Sequence, residues 1–231
     1  MLAGALAALE PPVLVRQQAF ETIRDAIVDG RLAPGTRLVE RELCQALGIS
    51  RASVREVIRR LEAERLVSVA PRRGPTVMTL SAKEAAEIYE VRAMLESLLI
   101  RRFTAVASEA EVEGLCAIFA EVRRAAAAEA VPEIVGLMLR FNAHLVAVAD
   151  HALARDLLAQ LNARINWLRV RAMAVPGRIA ASIEELSAVL AAVRARDAET
   201  AARLIAESVG RARDAALRQL AEAPPPRERR R

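Results

Sequence analysis

The chain has 231 residues, 54% of them hydrophobic, which is ample for a packed core in one large domain or two smaller ones. Its formal charge of +5 rests almost wholly on arginine, Lys83 being the only lysine; that balance favours an anionic partner, although abundant arginine and alanine equally suit a GC-rich genome. Two cysteines without metal-ligand spacing, Cys44 and Cys116, read as buried free thiols in a reducing cytoplasm. No Ser-His-Asp order, glycine-rich phosphate loop or paired-histidine zinc motif is present, so the composition points away from an enzyme.

Residues 1–15 read as a flexible N-terminal arm: they are apolar, but no basic segment precedes them, Glu10 interrupts them, and Pro11 and Pro12 stop a helix. No uncharged apolar run reaches the roughly 20 residues a membrane helix needs, so a soluble, cytoplasmic protein with no membrane partner is expected. Residues 16–79 read as one DNA-binding domain. The stretch from Arg16 to Gly30 predicts a first helix with Ala19, Ile23, Ala26 and Ile27 inward. Glu40 to Leu47 predicts a second, closed by Gly48, which can take the positive φ of a helix stop. Ser50 then suits the N-cap of a third helix, whose Val54, Val57, Ile58 and Leu61 recur at spacings of three and four while Arg51, Arg55 and Arg59 lie on another face. Val67 to Val69 alternates as a strand, Arg72 to Pro75 makes a basic turn, and Thr76 to Met78 returns. This is the order of a winged helix-turn-helix. An arginine fork matches the two acceptors of a guanine edge, so Arg51 and Arg55 are the candidates for reading bases, while Ser50 and Ser53 suit phosphates.

Ser81 and Glu84 form a capping-box pattern that opens a second domain, residues 81–223, in which helical periodicity is almost unbroken. Helices are expected at about 82–106, 109–129, 132–149, 152–174, 178–196 and 198–222, and residues 224–231, three prolines followed by RERRR, read as a disordered basic tail. The fold class is therefore mainly α: an N-terminal winged helix-turn-helix followed by an antiparallel helical bundle. A bundle holds a ligand among inward polar groups. Asn162, Asn166 and Arg169 share one stripe and either line a cavity or form the polar edge of an amphipathic helix. Arg92 suits a ligand carboxylate, or Glu96 as a helical salt bridge. Trp167 points away from that stripe. His144 and His151 are seven apart, about 10 Å along a helix, too far to share a metal unaided.

Three blocks resemble the GntR transcription factors: Gly30-x-Leu32-x-Pro34-Gly35 with Glu40-Arg41-Glu42-Leu43, then Leu47-Gly48-Ile49-Ser50-Arg51 with Val54-Arg55-Glu56, then Pro71-Arg72-Arg73-Gly74. The resemblance implies DNA contacts at Arg41, Ser50, Arg51, Arg55, Arg73 and Gly74. Arg65 departs from it, standing where the family usually has glycine, and a differently shaped helix end is expected there. Ser81-x-x-Glu84, the segment Ile88 to Glu96 and the segment Ala192 to Ala201 resemble the opening and penultimate junction of the FCD effector domain, which places the chain in the FadR subgroup. That implies a homodimer on a palindromic operator, acting as a repressor under a small-molecule metabolite; an architectural DNA-binding protein without effector, or least of all a metal-dependent enzyme, are the alternatives. Many such domains hold a divalent metal, whose ligand positions fall here on Met138, Asn142, Leu186 and Ser208. These do not suit zinc or nickel, so no metal cofactor is expected. The expected organic effector site comprises Asn142 and Ser208 with Arg92, Asn166 and Arg169, and with Met138 and Leu186 on its apolar wall.

Overall fold

Pro12 opens the first helix instead of stopping one. In the computed structural model, which describes residues 12–70 and 74–222, helix α1 spans Pro12–Val28, so the last residues of the expected arm are helical. Proline at the first helical position loses only an amide that has no partner there anyway, and its fixed φ already suits the helix. Residues 1–11 of the arm, the tail 224–231 and Arg73 lie outside the described residues. The chain divides into two compact units, Met1–Thr79 and Leu80–Arg231.

In the first unit, α1 buries Ala19, Phe20, Ile23, Ala26 and Ile27 against helix α3, Arg51–Ala63, which buries Val54, Val57, Ile58 and Leu61. Helix α2, Glu40–Leu47, ends at Gly48 with φ 65°, the left-handed turn for which glycine carries no steric cost. Strands β1, Val67–Ala70, and β2, Gly74–Val77, pair antiparallel with Val67 opposite Val77 and Ala70 opposite Gly74.

The end of α3 corrects the expectation about Arg65. It takes φ 56°, the left-handed conformation, as a glycine would. The Arg65 amide donates to the Glu62 carbonyl at 2.9 Å and the Leu66 amide to the Leu61 carbonyl at 2.9 Å, the two bonds of a Schellman closure, while Leu66 is buried. The backbone keeps its shape and a non-glycine residue carries the strain. Arg65→Gly is therefore expected to stabilise this unit by up to about 1 kcal/mol, read as a rise in the urea midpoint without a change in slope; a lower midpoint would contradict it. Glu129 and Arg196 close α5 and α8 in the same way, at φ 52° and 59°, which is why those helices stop at Ala127 and Arg194, two residues short of the ends expected from periodicity.

The second unit consists of α4 (Ala82–Val106), α5 (Glu109–Ala127), α6 (Val131–Ala149), α7 (Ala152–Met173), α8 (Arg178–Arg194) and α9 (Ala198–Glu222). Capping boxes start two of them: Ser81 with Glu84 for α4 and Ser108 with Glu111 for α5. The His151 Nδ1 atom caps α7, accepting from the Ala154 amide at 3.2 Å. Helix α4 packs most extensively on α9. One core joins Ile100, Phe103, Leu115, Phe141, Val189 and Val193; a second joins Tyr89, Ile165, Leu168, Val209 and Ala216, with Trp167 against it. Helix α6 has the length and apolar composition of a membrane span, but its Ile134, Leu137, Phe141 and Leu145 belong to the first core. Both cysteines are free and only partly buried, not fully buried as expected.

Candidate nucleic-acid interface and ligand cavity

The arginines of the first unit fall into two classes. Arg60 is tied down: it donates to Gln17 on α1 and its guanidinium lies 3.9 Å over the Phe20 ring. Arg16 is tied to Glu56. Arg41, Arg51 and Arg59 are exposed and form no ion pair or side-chain hydrogen bond among the described residues. Arg55 lies between the classes, its Nε donating to both oxygens of Glu40 at 3.1 and 3.0 Å. That grip leaves the two terminal nitrogens, the pair that would face a guanine edge, without a partner. Ser50 caps α3 by accepting from the Ser53 amide at 3.2 Å, and the two hydroxyls lie 3.0 Å apart. Both serines are thereby held at the N-terminus of α3, where unpaired amides favour an anion. Gly74 starts β2 with φ 72°, a conformation in which a side chain would be strained.

In the second unit a cavity with about 90 Å³ of room for the centres of water-sized molecules opens among α4, α6, α7, α8 and α9. A single water needs about 10–15 Å³ by this measure, so a small organic molecule fits. Arg92, Met138, Arg169, Leu186 and Ser208 line it. Asn142, Asn162 and Asn166 do not, although all three are buried; Asn142 and Asn166 must therefore be removed from the expected lining. The cavity stops one turn short of them, between Met138 and Asn142 on α6 and between Asn166 and Arg169 on α7. A stripe identifies the inward face of a helix without saying how far along it a void extends.

Glu96, expected only as a salt-bridge partner of Arg92, and Tyr89, which was not expected at the site, line the same void. Arg92 Nη2 donates to Glu96 at 2.7 Å and both side chains are under 10% exposed, so the helical salt bridge exists, inside the bundle. Three donors remain sealed and unpartnered: the Tyr89 hydroxyl, Arg92 Nε and Arg169 Nη1. Burial raises the Tyr89 phenol above its ordinary range, against the nearby Arg92 charge. Arg169, whose Nη1 is sealed while other atoms face the cavity, is pushed down to about 10, first by burial and then by Arg92. It therefore remains a cation at neutral pH, with no ion pair of its own among the described residues. Behind the lining residues Arg178 and Ser208, Glu185 gathers Arg178 at 2.9 and 3.0 Å, the Ser208 hydroxyl at 2.7 Å and Arg211 at 2.6 Å. Burial works to raise the Glu185 carboxyl, but these hydrogen bonds outweigh it and hold it below the usual carboxylate range. The Ser208 hydroxyl is thus already committed to a knot that ties α8 to α9. Arg178 and Glu185 stand seven apart on α8 and bond each other directly, and α9 adds Ser208 and Arg211 to the same carboxylate.

Residues 15–77 match the family described as bacterial regulatory proteins, gntR family, and residues 87–223 match the FCD domain. The chain is a GntR-family regulator with an FCD domain. It is 29% identical over 163 residues, 70% of this chain and 73% of the other, to the uncharacterized HTH-type transcriptional regulator YdhC of Bacillus subtilis. It is also 29% identical over 161 residues, 70% and 71% of the two chains, to the HTH-type transcriptional repressor RspR of Escherichia coli. The structure of E. coli McbR/YncC shares the fold, with a TM-score of 0.77 and 23% identity over 90% of this chain and 99% of that one. GntR-family regulators bind DNA through the winged unit and small-molecule effectors through the FCD unit, which assigns the two sites to the two units of this regulator.

The residues at the metal-ligand positions of this regulator do not fit a divalent transition metal. Of the four positions the resemblance implies, Met138, Leu186 and Ser208 bring a thioether, an aliphatic chain and an engaged hydroxyl to the cavity and Asn142 is a buried amide that does not line it, where zinc and nickel require imidazole, thiolate or carboxylate. His144 is turned the other way, its Nε2 2.8 Å from the Glu111 carbonyl on α5 and its ring against Phe103 and Gly114.

Proposed function

We propose that this regulator is a repressor that grips a palindromic operator as a homodimer, and that a small organic anion bound in the FCD cavity without metal alters that grip. The repressor assignment draws on the printed function of RspR. The palindrome follows from two-fold symmetry, since each recognition helix of a dimer meets the same half-site. The observation that carries the effector reading is the set of sealed, unpartnered donors, the Tyr89 hydroxyl, Arg92 Nε and Arg169 Nη1, at one cavity. A buried donor left unmade costs about 1–3 kcal/mol, so an anion with several acceptor oxygens gains where a small turn of these side chains brings their donors to the cavity, and it neutralises Arg169 as well. Mostly apolar neighbours, including Met138, Ile183 and Leu186, suit a short hydrocarbon body behind the anionic head. We read the protein as a cytoplasmic DNA-binding regulator and not an enzyme, since the relatives it matches are named transcriptional regulators and repressors.

Thermal denaturation of untagged protein against small carboxylates, phosphonates and their neutral amide isosteres tests this reading. A ligand at about a hundred times its Kd adds about 2.7 kcal/mol, which raises Tm by roughly 5–10 °C in a chain of this size. Anions are expected to give that shift and amides none. Arg169→Met should abolish it while leaving the unliganded Tm equal or higher, because the substitution removes an unpaired buried charge. Shifts given only by neutral ligands, or by none, would contradict the reading. Elemental analysis of the same untagged, chelator-free protein is expected to find no stoichiometric metal; one equivalent that disappears on His144→Ala would overturn the metal-free assignment.

A further inference from the structure

A short edge on the outer side of the wing places one more cation at the DNA-binding unit. The Gly35 amide donates to the Val77 carbonyl at 2.9 Å, the Val77 amide to the Thr36 carbonyl at 2.9 Å and the Leu38 amide to the Pro75 carbonyl at 2.8 Å, so residues 35–38 run as a third edge against β2 with Arg37 opposite Thr76. Side chains alternate along such an edge. Leu38 is inward and 2% exposed, which forces Arg37 outward. Its guanidinium lies beside the open face of Gly74: a methyl placed there would stand 3.7 Å from both Nε and Nη2. The wing is itself fixed to the recognition helix, since Glu62 of α3 accepts from the Val69 amide at 3.3 Å. Unlike Arg16, Arg55 and Arg60, Arg37 has no ion pair or side-chain hydrogen bond among the described residues.

We propose that Arg37 is a phosphate clamp: its guanidinium, held beside Gly74 at the edge of the wing, takes a DNA backbone phosphate flanking the groove that α3 enters. The proposal rests on the assignment of the first unit to DNA binding. The planar fork of arginine matches two phosphate oxygens, and an outward cation with nothing to neutralise inside the protein has its natural partner in the polyanion. A glycine at position 74 keeps that side of the guanidinium open, where a side chain would narrow the approach of the DNA backbone. A cation seated on a strand edge meets the backbone before it meets a base, so the contact positions the protein and carries no sequence information. Arg37 stabilises nothing in the free protein by an ion pair or hydrogen bond of its own, so its removal separates DNA affinity from folding.

The test is the salt dependence of binding by the full-length protein to its selected operator and to a random duplex. Each phosphate contact on B-DNA contributes about 0.9 to the slope of log affinity against log salt. Arg37→Ala and Arg37→Gln are expected to lower that slope by about 0.9 on both duplexes. The advantage of the wild type then shrinks about three- to fourfold between roughly 50 and 200 mM salt. Arg37→Lys restores most of the slope, and Tm is unchanged in all three variants. Arg123→Ala, which removes an exposed cation from α5 in the other unit, controls for net charge and should leave the slope as it is. An unaltered slope in Arg37→Ala, an equal fall in Arg123→Ala, or a loss confined to the operator would overturn the proposal while leaving DNA binding intact. A wild type that bound neither duplex would overturn both this proposal and the reading on which it rests.

Discussion

Arg51→Ala and Arg55→Ala are each expected to remove about 1–3 kcal/mol of the preference for the operator over random DNA. Arg51 is the first residue of α3, exposed and without an ion pair among the described residues, so its whole fork is available to a guanine edge. Arg55 stands one turn later with its Nε held by Glu40 and its terminal nitrogens open. The pair is exposed, with 61% of the Arg55 side chain and 33% of the Glu40 side chain accessible, and exposed pairs stabilise a fold by about 1 kcal/mol or less. Its effect is to aim a long side chain and so reduce the rotamer entropy lost on binding. Glu40→Gln should therefore weaken operator binding by less than Arg55→Ala does. Competition binding with operator and scrambled duplexes checks all three variants. If Arg51→Ala or Arg55→Ala weakened every sequence equally, the residue would be a phosphate contact and not a base reader.

Glu96→Gln is expected to destabilise the FCD unit by about 3–5 kcal/mol, the usual cost of breaking a buried ion pair from one side. The 2.7 Å bond from Arg92 and the near-complete burial of both partners make Glu96 the guanidinium's main compensation for lost hydration, and its Nε already lacks a protein acceptor. Replacing the pair as a whole, by Arg92→Met with Glu96→Leu, should recover most of the loss, because apolar side chains of similar volume avoid the desolvation of both charges. The double variant should nonetheless bind no anion. Urea unfolding followed by circular dichroism measures the first two effects and the ligand-induced Tm shift the third. A Glu96→Gln protein within 1 kcal/mol of the wild type would mean that Arg92 is not held by this carboxylate in solution. Recovered anion binding in the double variant would remove Arg92 from the effector site.

The beginnings of elements were more legible in the sequence than their ends. Ser81 with Glu84 announces α4, and Ser50 announces α3, because a hydroxyl or carboxylate at a helix start has a specific amide to satisfy. Arg65, Glu129 and Arg196 end helices without announcing it, since the left-handed turn expected of glycine is taken there by charged residues. Pro12 was legible as helix punctuation but with the wrong sign, because proline is a stop inside a helix and a start at its first turn. At the cavity proposed for the effector, Arg92 and Arg169 were readable as polar interruptions of apolar faces. The limits of the cavity were not, and Asn142 and Asn166 fell just beyond it. In the Arg178–Glu185–Arg211 knot, the first two residues pair along α8, but Arg211 reaches the same carboxylate from α9, which only tertiary packing brings there.

Selection of bound duplexes from a random DNA pool by the untagged wild-type protein tests the central claim most directly. The account predicts enrichment of an inverted repeat with a guanine at a fixed place in each half-site and half-site centres about one helical turn apart, and a loss of that guanine from the pool selected by Arg51→Ala. A recovered pool indistinguishable from the input, or one enriched in a single half-site with no inverted partner, would contradict it.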